Sequence, residues 1–580
     1  MTLRSLRRRV ALLMDAVEDD YQIGIVRGAC QAAEPANVQL VCIAGGVVGD
    51  KRADRRSERN FLFDLIEPHQ FAGVLSLSGS LSNQLGLEKF SGFIEKFSNL
   101  PLVNLGVEIP RSHSITVNGA AGMRAVISHQ IRVHNHRRIA FIRGPVSSTE
   151  AEQRYDAYRA VLEENGIALD PRLVLQGSWL RESGTLAVRE LLGQRGVRPE
   201  SLNAIVAAND YMALGAMDAL SEHGIAVPAE IAVTGFDDLD VTRCAVPPLT
   251  TVRQPTEALG REGLKRVISM LNGGEEPLLS ELQAQVVERR SCGCAKVVAD
   301  SEQRRPPPAG RSFEAAIVER RALICAELAR VAHGALFGVG SGWEQRLLTA
   351  LLNDLTDERS SDFLPAIDHV LVKLERSGGN LGVCQTLLAV LRREIKLCAA
   401  EDPAMLARGD DLFEAARGLV SEFLVRVEIA RKLQTVAQLR EFSQLSSLLL
   451  GEQDLATLRH TFEDRFRALG IPALALGVFT EPGKVTPNCL CLAAYGSSRQ
   501  PTVSETFRAS DFGPRDLFAQ ERGALLVQPL VFEGEPMGIL TVVLGGVELA
   551  IFEQLREMLG AGLRGFRLTR VQKTRTVAAQ

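Results

Sequence analysis

The chain has 580 residues, and at about 150 residues per domain this length predicts about four structural units. Hydrophobic residues make up 46% and charged residues 23% of the sequence, proportions that are typical of a soluble globular protein. The formal net charge of −4 excludes a general electrostatic footprint for nucleic acid.

The N-terminus is basic but does not read as a targeting segment. Arg4, Arg7, Arg8 and Arg9 could contact phosphate groups, or they could form a solvated terminus, which is the interpretation we prefer. The apolar run that follows is broken by Asp15, so it lacks the apolar core of a secretory signal. No apolar run approaches the roughly 18 residues of a membrane helix. We therefore expect a cytoplasmic protein without membrane contact.

Ten cysteines are scattered along the chain without a repeating framework, which favours reduced thiols over disulfides. Cys292 and Cys294 form one C-x-C pair, and Cys489 and Cys491 form another. Alternating residues on a strand share a face, so each pair could meet a metal ion. Neither has a second pair or a nearby histidine at zinc spacing, and buried cysteines are common. We therefore predict no metal site.

Residues 9–296 alternate short apolar runs with helical patterns. Such spacing indicates βαβ units and parallel sheets with right-handed crossovers. The predicted strands cover residues 9–14, 38–43, 73–77, 102–105, 138–143, 173–176, 204–207 and 231–234. Helices are predicted over 21–33, 61–67 and 87–97. Two open sheets in series predict a ligand cleft between two lobes, at the carboxyl ends of the strands.

The sequence SEQRRPPPAGRS (301–312) predicts a linker, because consecutive prolines stiffen it and charges keep it solvated. Residues 313–452 then predict an all-helical connector. Its last stretch carries an apolar stripe at helical spacing, formed by Ile429, Leu433, Val436, Leu439, Phe442, Leu445 and Leu449. This stripe predicts either a bundle core or a dimer seam, and it is the basis for expecting a homodimer.

A third unit is predicted over residues 453–572, followed by a tail over 573–580. A helix at 455–469 precedes strands at 473–480 and 490–495, and a further strand pair over 527–544 turns at 533–536. A closing helix follows from 548 to about 571. The order of these elements, together with PLVFEGEPMGIL, resembles a GAF domain, an α+β fold.

Several motifs of the first half resemble the effector-binding domains of the LacI/GalR family. They are HRRIAFIRGP (136–145), GSWLRESG (177–184), VAANDYMALGAM (206–217), GFDD (235–238) and PPLTTVRQP (247–255). The resemblance implies an α/β, two-lobed, periplasmic-binding-protein-like (type I) domain over 9–300. Its first lobe would hold 9–117 and 247–280, and its second 118–246 and 281–296. Only MTLRSLRR (1–8) precedes the first strand, so we expect no helix-turn-helix headpiece.

The same resemblance implies ligand-binding residues. Arg154 matches an arginine that points into the cleft of such proteins, and Asp237 matches the acidic residue of the G-[FY]-D-[DN] turn. Arginine offers a rigid fork of donors and aspartate two acceptor oxygens, which suits a polar ligand. The other implied positions are Asn209, Trp179, Tyr21, Gln22, Ser78 and Ser80.

Alternatives stay open at these positions. Arg154 and Asp237 could instead pair to hold the lobe together, and Asn209 could cap the helix that starts at Asp210. Gly106 stands where some sugar-binding members have an aspartate, and Val117-Asn118 replaces the usual Asp-Asn. The resemblance therefore implies a sugar or nucleoside-like effector without specifying one.

No catalytic motif emerges. The sequence lacks the phosphate-binding loop, the H-E-x-x-H zinc motif, the G-x-S-x-G elbow and the kinase signatures, so we expect neither an enzyme nor a bound cofactor. His134 and His136 are interpreted as structural. The sequence thus predicts a cytoplasmic sensor that passes its signal to a signalling or DNA-binding partner without binding specific DNA itself. The alternatives are a LacI-type transcriptional regulator with an unrecognised DNA-binding surface and a transport-type binding protein.

Overall fold

The structure, a computed structural model, describes residues 7–17, 20–49, 58–294, 312–332, 340–357, 359–377, 381–400, 402–450, 455–481, 483–496, 505–545, 549 and 551–578. Two compact units divide the chain: residues 1–296 with 441–580 form the first, and 297–440 form the second. Arg4 and residues 301–311 of the expected linker lie outside the described residues. Within the described residues, no helix combines the length and apolarity needed to cross a membrane.

Strands and helices alternate through residues 8–287, and the eight strands predicted there all form. The strands are β1 (Arg8–Met14), β2 (Val38–Ala44), β3 (Gly73–Ser76), β4 (Leu102–Gly106), β5 (His113–Asn118), β6 (Ile139–Arg143), β7 (Val174–Gln176), β8 (Ala204–Ala207), β9 (Ala232–Thr234), β10 (Thr251–Arg253), β11 (Leu279–Gln283) and β12 (Gln285–Val287). The helices are α1 (Asp20–Ala33), α2 (Phe61–Asp64), α3 (Ser78–Leu81), α4 (Leu87–Ile94), α5 (Gly119–Arg132), α6 (Thr149–Glu164), α7 (Arg181–Arg189), α8 (Asp210–Glu222), α9 (Val241–Cys244) and α10 (Thr256–Leu271). The predicted helix 61–67 ends early because Glu67, which precedes Pro68, is extended.

In the described part of residues 312–468 the regular elements are all helices, and a segment of strands and helices follows. The helices are α11 (Phe313–Val331), α12 (Trp343–Thr356), α13 (Phe363–Ser377), α14 (Val383–Cys398), α15 (Pro403–Leu450) and α16 (Leu455–Ala468). The last elements are β13 (Leu474–Phe479), β14 (Asn488–Tyr495), β15 (Thr506–Arg508), β16 (Leu525–Phe532), β17 (Glu535–Val543) and α17 (Ile551–Ala578). The predicted turn at 533–536 forms, with Glu533 and Gly534 both at positive φ.

The first lobe is built on a parallel sheet with the strand order β11-β5-β4-β3-β1-β2. Its central strand β1 is fully buried over 10–14, as expected for a strand covered on both faces. Helices α1 and α10 cross at glycines. A Cβ on Gly28 would stand 1.9 Å from the Glu257 carbonyl oxygen, and one on Gly260 2.0 Å from that of Ile25. Only glycine permits this approach.

The second lobe holds a separate parallel sheet, β7-β6-β8-β9. The short antiparallel pair β10-β12 adjoins it, because Thr250 bridges to Thr234 and Arg253 bridges to Asp237. The chain therefore returns to the first lobe after β10, whereas the sequence prediction placed this return at residue 247. The prediction missed this because the short β10 has no partner nearby in the sequence; β12 lies some thirty residues further on.

The C-terminal strands continue the first lobe's sheet. β16 pairs in parallel with β2, with Leu525 opposite Val41, and the order β16-β17-β13-β14-β15 completes an 11-stranded sheet. Phe61 meets Phe479 edge to face at 5.6 Å between ring centroids. The hydrophobic clusters on both faces of the sheet contain residues from both segments. The first lobe and the C-terminal segment thus share one core.

The arginines at the start of β1 take part in this packing. The Arg7 guanidinium donates to the carbonyl oxygen of Glu521 at 2.9 Å, and that of Arg9 lies over the Phe71 ring, 5.2 Å from its centroid. Arg8 alone of the three is exposed. The expected solvated terminus is therefore wrong for Arg7 and Arg9, because the sheet begins at these residues.

The second unit is helical, as predicted, and encloses its own apolar core. Charged groups are also buried in it. Glu394 is fully buried and accepts from Arg320 at 2.6 Å and from Arg393 at 3.2 Å. Asp354 accepts from the backbone amides of Asp362 and Phe363, which fixes the turn before α13. Paired in this way, these carboxylates avoid the cost of an unpartnered buried charge.

The apolar stripe of α15 lies on an exposed face where its side chains are described. Ile429 is 54%, Leu433 66% and Val436 46% exposed, and Val425 on the same helix is 59% exposed. The side chains of Leu439, Phe442, Leu445 and Leu449 lie outside the described set. Of the two interpretations of the stripe, a bundle core within this chain does not apply to Ile429, Leu433 and Val436.

Candidate effector cleft

The first lobe gathers polar side chains where its strands end. Asp15 follows β1, and its carboxylate accepts from Gln22 Nε2 at 3.1 Å and from Ser80 Oγ at 2.7 Å. Two of the implied ligand positions, Gln22 and Ser80, are therefore brought together by Asp15. Sequence reasoning missed Asp15, although it is the first charged residue after an apolar strand at the carboxyl edge of the sheet.

The other two implied ligand positions of the first lobe, Ser78 and Tyr21, differ in burial. Ser78 is fully buried and donates to Asn104 Oδ1 at 2.8 Å, so it joins the ends of β3 and β4 inside the lobe. Tyr21 is half-buried, and a Cβ built on Gly106 would lie 3.6 Å from its hydroxyl oxygen. Gly106 has a φ of 90°, and a Cβ on it would also stand 3.2 Å from Gly79 Cα, so the backbone itself favours glycine at this position.

Arg154 is a buried residue of α6 in the second lobe. It is only 3% exposed; its guanidinium stacks on Phe236 at 3.8 Å from the ring centroid and donates to the Ala208 carbonyl oxygen at 2.7 Å. Its Nη1 stands 3.8 Å from Asp237 Oδ1, an ion pair longer than a hydrogen bond. Among the described residues, Arg154 Nε has no acceptor. The pair with Asp237 therefore does not satisfy the arginine.

Asp237 and Asp238 of the GFDD turn have different surroundings. The Asp238 carboxylate is buried and binds Arg289 and Arg253, the latter at 2.6 Å, so it holds the turn together. Asp237 accepts from Gln254 Nε2 at 2.7 Å and keeps part of its carboxylate exposed. Asp237 also has a φ of 123°, where a residue with a side chain is strained. Strain of this kind is found most often at functional positions.

Burial changes the protonation of this wall. It raises the pKa of Asp237 to about 7, against the opposing effect of Arg154. Burial likewise raises the pKa of Asp210 to about 7, although Thr251 Oγ1 and the Leu239 amide donate to its carboxylate. The pKa of Glu150, whose carboxylate lies 3.8 Å from Arg154 Nη2, is raised for the same reason. Sequence reasoning missed Asp210 and Glu150 as neighbours of the site.

Asn209 caps a helix, as one of its two interpretations proposed. Its side chain accepts from the Met212 amide at 3.0 Å at the start of α8 and donates to the Trp179 carbonyl oxygen at 3.0 Å. Trp179 is half-buried and has a φ of 70°. Its indole packs so closely on Gly144 that a Cβ there would stand 2.4 Å from the ring. The Arg154 guanidinium carbon lies 5.4 Å from the Trp179 ring centroid, so the two face one region.

Among the described residues, hydrogen bonds join the lobes directly at two places at least. The Asp240 amide donates to the Asp20 carboxylate at 2.7 Å, and Ser147 Oγ donates to the Asn83 carbonyl oxygen at 2.6 Å. Burial raises the pKa of Asp20. Both contacts come from loops and helix starts at the strand ends, where the polar groups of each lobe gather.

The two C-x-C pairs lie in different surroundings. Cys489 and Cys491 are buried in the sheet core, and burial raises the pKa of Cys489 to about 12. Cys292 and Cys294 lie instead beside His129 and His134, over one hundred and fifty residues away in sequence. His136, which the sequence paired with His134, binds the Gln130 side chain at 2.8 Å. The spacing of residues in the sequence did not indicate this cluster of two histidines and two cysteines, because only the fold brings the two segments together.

Comparison with known proteins finds relatives of this domain among transcriptional regulators. Residues 129–292 match the family described as a periplasmic binding protein-like domain. The HTH-type transcriptional regulator AscG of Escherichia coli K12 is 32% identical over 208 residues, which cover 36% of this chain and 60% of AscG. The HTH-type transcriptional repressor CytR of Escherichia coli K12 is 28% identical over 276 residues, which cover 47% of this chain and 74% of CytR.

A solved structure also matches part of this chain. The crystal structure of the Escherichia coli transcriptional repressor ascG matches with 27% identity and a TM-score of 0.40, covering 49% of this chain and 98% of that one. This chain thus spans part of its curated relatives, and roughly half of it lies outside the alignments. It contains a periplasmic-binding-protein-like domain with homologues in the LacI/GalR family.

Proposed function

We propose that this protein is a ligand-sensing regulatory protein of LacI-like ancestry, acting in the cytoplasm. It binds a small polar effector, a sugar or a nucleoside-like metabolite, between the two lobes and passes the signal to a partner protein. The observation that carries the proposal is Arg154. It is a buried, aromatic-stacked guanidinium beside the strained Asp237, and its Nε lacks an acceptor among the described residues.

The effector would be recognised from both sides. Arg154 and Asp237 supply a donor fork and an acceptor for hydroxyl or amide groups, and Trp179 supplies an aromatic face for the apolar side of a sugar ring or for a base. Across the cleft, Tyr21 and the Asp15 group with Gln22 and Ser80 supply further polar contacts. Ser78 and Asn209 would not contact the effector themselves. Their hydrogen bonds hold the neighbouring backbone in place, Ser78 through Asn104 and Asn209 through Trp179.

Signal output is proposed to run through the shared sheet. Because β2 pairs with β16, a movement of the first lobe on effector binding carries the C-terminal strands with it. A ligand shifts such an equilibrium only by its difference in affinity for the two arrangements. The C-terminal segment, which resembles a GAF domain, is the proposed surface for the partner.

A thermal-shift screen of the full chain tests the effector site. Monosaccharides, disaccharides, nucleosides and sugar phosphates are the probes, and a true effector at about a hundred times its Kd adds about 2.7 kcal/mol of stability. Arg154→Ala and Asp237→Ala should each weaken binding of the effector about tenfold to a hundredfold, the loss of one charge-assisted hydrogen bond. Arg159→Ala, an exposed arginine on the same helix, is the control.

Normal binding by both cleft variants would refute the assigned site.

A second candidate function is specific DNA binding by this chain itself. It is favoured by the relatives, which are transcriptional regulators. The net charge of −4 opposes it, because no counterion-release drive towards DNA follows from the composition. Selection of bound sequences from a random duplex pool, with and without effector, decides between the two. Nanomolar, sequence-specific binding would establish the second candidate.

A further inference from the structure

Four side chains with metal-binding atoms converge where α5 ends. His129 lies in the last turn of α5 and His134 just beyond it, while Cys292 and Cys294 follow β12. One ligand atom from each of the four lies within 4.8 Å of all the others. Cys292 is buried and the other three are half-buried, so the group is largely shielded from solvent.

The individual distances match a tetrahedral zinc centre. Nitrogen ligands at about 2.0–2.1 Å and sulfur ligands at about 2.3 Å from Zn²⁺ place two nitrogens about 3.3 Å apart, and nitrogen and sulfur about 3.6 Å apart. The His129 and His134 Nε2 atoms are 3.3 Å apart. His129 Nε2 lies 3.6 Å from Cys292 Sγ and 3.4 Å from Cys294 Sγ, and the His134 Nε2 to Cys294 Sγ distance is also 3.4 Å.

The surroundings of the cluster orient its ligands. The Glu288 carboxylate lies 3.5 Å from His129 Nδ1, the partner that a zinc-binding imidazole commonly has on its other nitrogen. Thr250 Oγ1 donates to Cys292 Sγ at 3.1 Å. Gly293, between the two cysteines, has a φ of 99°, and a Cβ on it would stand 3.4 Å from the His134 ring. The turn that presents both sulfurs therefore requires glycine.

We propose that His129, His134, Cys292 and Cys294 form a structural Zn²⁺ site. Two thiolates and two imidazoles in a tetrahedron are a closed ligand set, which leaves no position for substrate. Thiolate and imidazole ligands in this geometry favour zinc over magnesium or calcium, which take oxygen ligands. The site is independent of the effector cleft and of the function proposed above.

The proposed ion would fasten the end of the sensor domain. Residues 288–294 follow β12, the last strand of the second lobe, and the two cysteines would hold them against the end of α5. Binding free energy at a structural zinc site is folding free energy, because the unfolded chain holds no preformed site. Loss of the ion should therefore loosen this segment and lower the melting temperature.

Metal analysis of the untagged full-length protein, purified without chelator under reducing conditions, tests the proposal. We expect about one Zn²⁺ per chain, as a single four-ligand site requires. Co²⁺ exchanged for zinc should give the strong visible bands of a tetrahedral ion together with thiolate charge-transfer absorption. Cys294→Ser and His134→Gln should both abolish the stoichiometric zinc. His136→Gln and Cys244→Ser, an adjacent histidine and an exposed cysteine, should retain it.

Two results would overturn the proposal. One is wild-type protein that neither contains zinc nor develops the tetrahedral Co²⁺ spectrum when Co²⁺ is added. The other is full zinc content in both Cys294→Ser and His134→Gln. The wild-type measurements keep the test decisive if a ligand variant fails to fold. Removal of the metal with a chelator should lower Tm, and Zn²⁺ alone should restore it.

Discussion

At the scale of single residues, the environment separates side chains that the sequence presents as equals. Asp237 and Asp238 are neighbours in one motif, yet Asp238 is buried among arginines while Asp237 keeps part of its carboxylate exposed and has a strained backbone. Arg154 is held by Phe236 and the Ala208 carbonyl oxygen. The structure thus agrees in part with both interpretations of Arg154 and Asp237. The two side chains lie close enough for an ion pair, but they are too far apart to form a hydrogen bond with each other.

The raised pKa of Asp237, about 7, predicts a pH-dependent stability. An unfolded aspartate titrates near a pKa of about 4, so between about pH 4 and 7 the folded state holds a proton that the unfolded state releases. The free energy of unfolding should therefore fall as pH rises through this window. Asp237→Asn should remove about 1–2 kcal/mol of the fall, measured by denaturant unfolding of the full chain.

The exposed Asp156→Asn on α6 serves as the control and should leave the pH profile unchanged. Asp210 shares the raised pKa, so part of the fall should persist in the Asp237 variant and be lost when Asp210→Asn is added. Identical profiles for wild type and the double variant would show that burial of these carboxyls does not control stability.

At the scale of elements, α15 stands apart. It is 48 residues long, and its described stripe residues are exposed, although apolar surface of this kind is normally covered. Their spacing of three and four residues suits packing against a second helix. A second copy of the chain is the proposed occupant, because an isologous pairing of two equal stripes closes the assembly.

Charges placed on the stripe should break such a dimer. Leu433→Glu with Val436→Glu should shift sedimentation from dimer to monomer at micromolar concentration, because each unpaired carboxylate would have to be desolvated in the seam. Val318→Glu, at a residue of α11 that is 75% exposed, is the matched control and should remain dimeric. A wild-type monomer, or a double variant as dimeric as wild type, would contradict the prediction.

At the scale of the whole molecule, the shared sheet links segments more than 450 residues apart in the chain. Arg59 pairs with Glu553 at 2.8 Å, Gln39 Nε2 donates to the Phe518 carbonyl oxygen at 3.1 Å, and both lie in the interior. These polar contacts add to apolar clusters that both segments supply. A common core of this kind favours a single cooperative unfolding transition.

Hydrogen exchange can measure that cooperativity. Peptides covering β2 and β16 should exchange with the same opening free energy and respond equally to mild denaturant, because neither strand can leave without exposing the other. A peptide from α13 of the second unit is the comparison, since no such coupling is required there. Exchange of β16 at much lower denaturant than β2 would show that the two segments unfold independently.

The sequence by itself determined much of the local structure. Apolar runs with regular spacing predicted the helical connector and eight of the nine strands from β1 to β9, because burial patterns repeat at periods of two and 3.6 residues. The missed strand is β5, in which polar residues alternate with apolar ones. Motif resemblance named Arg154 and Asp237. The sequence allowed two roles for Asn209, helix capping and ligand binding, because an asparagine just before a helix can serve in either.

Tertiary structure alone decided which distant residues meet. The pairing of β2 with β16, the gathering of Gln22 and Ser80 around Asp15, and the meeting of His129 with Cys294 all join positions that no local pattern connects. Exposure of the α15 stripe is of the same kind, because apolar spacing is identical for a core and for a seam. Periodicity specifies which face of an element is apolar, whereas its partner is set by the packing of the whole chain.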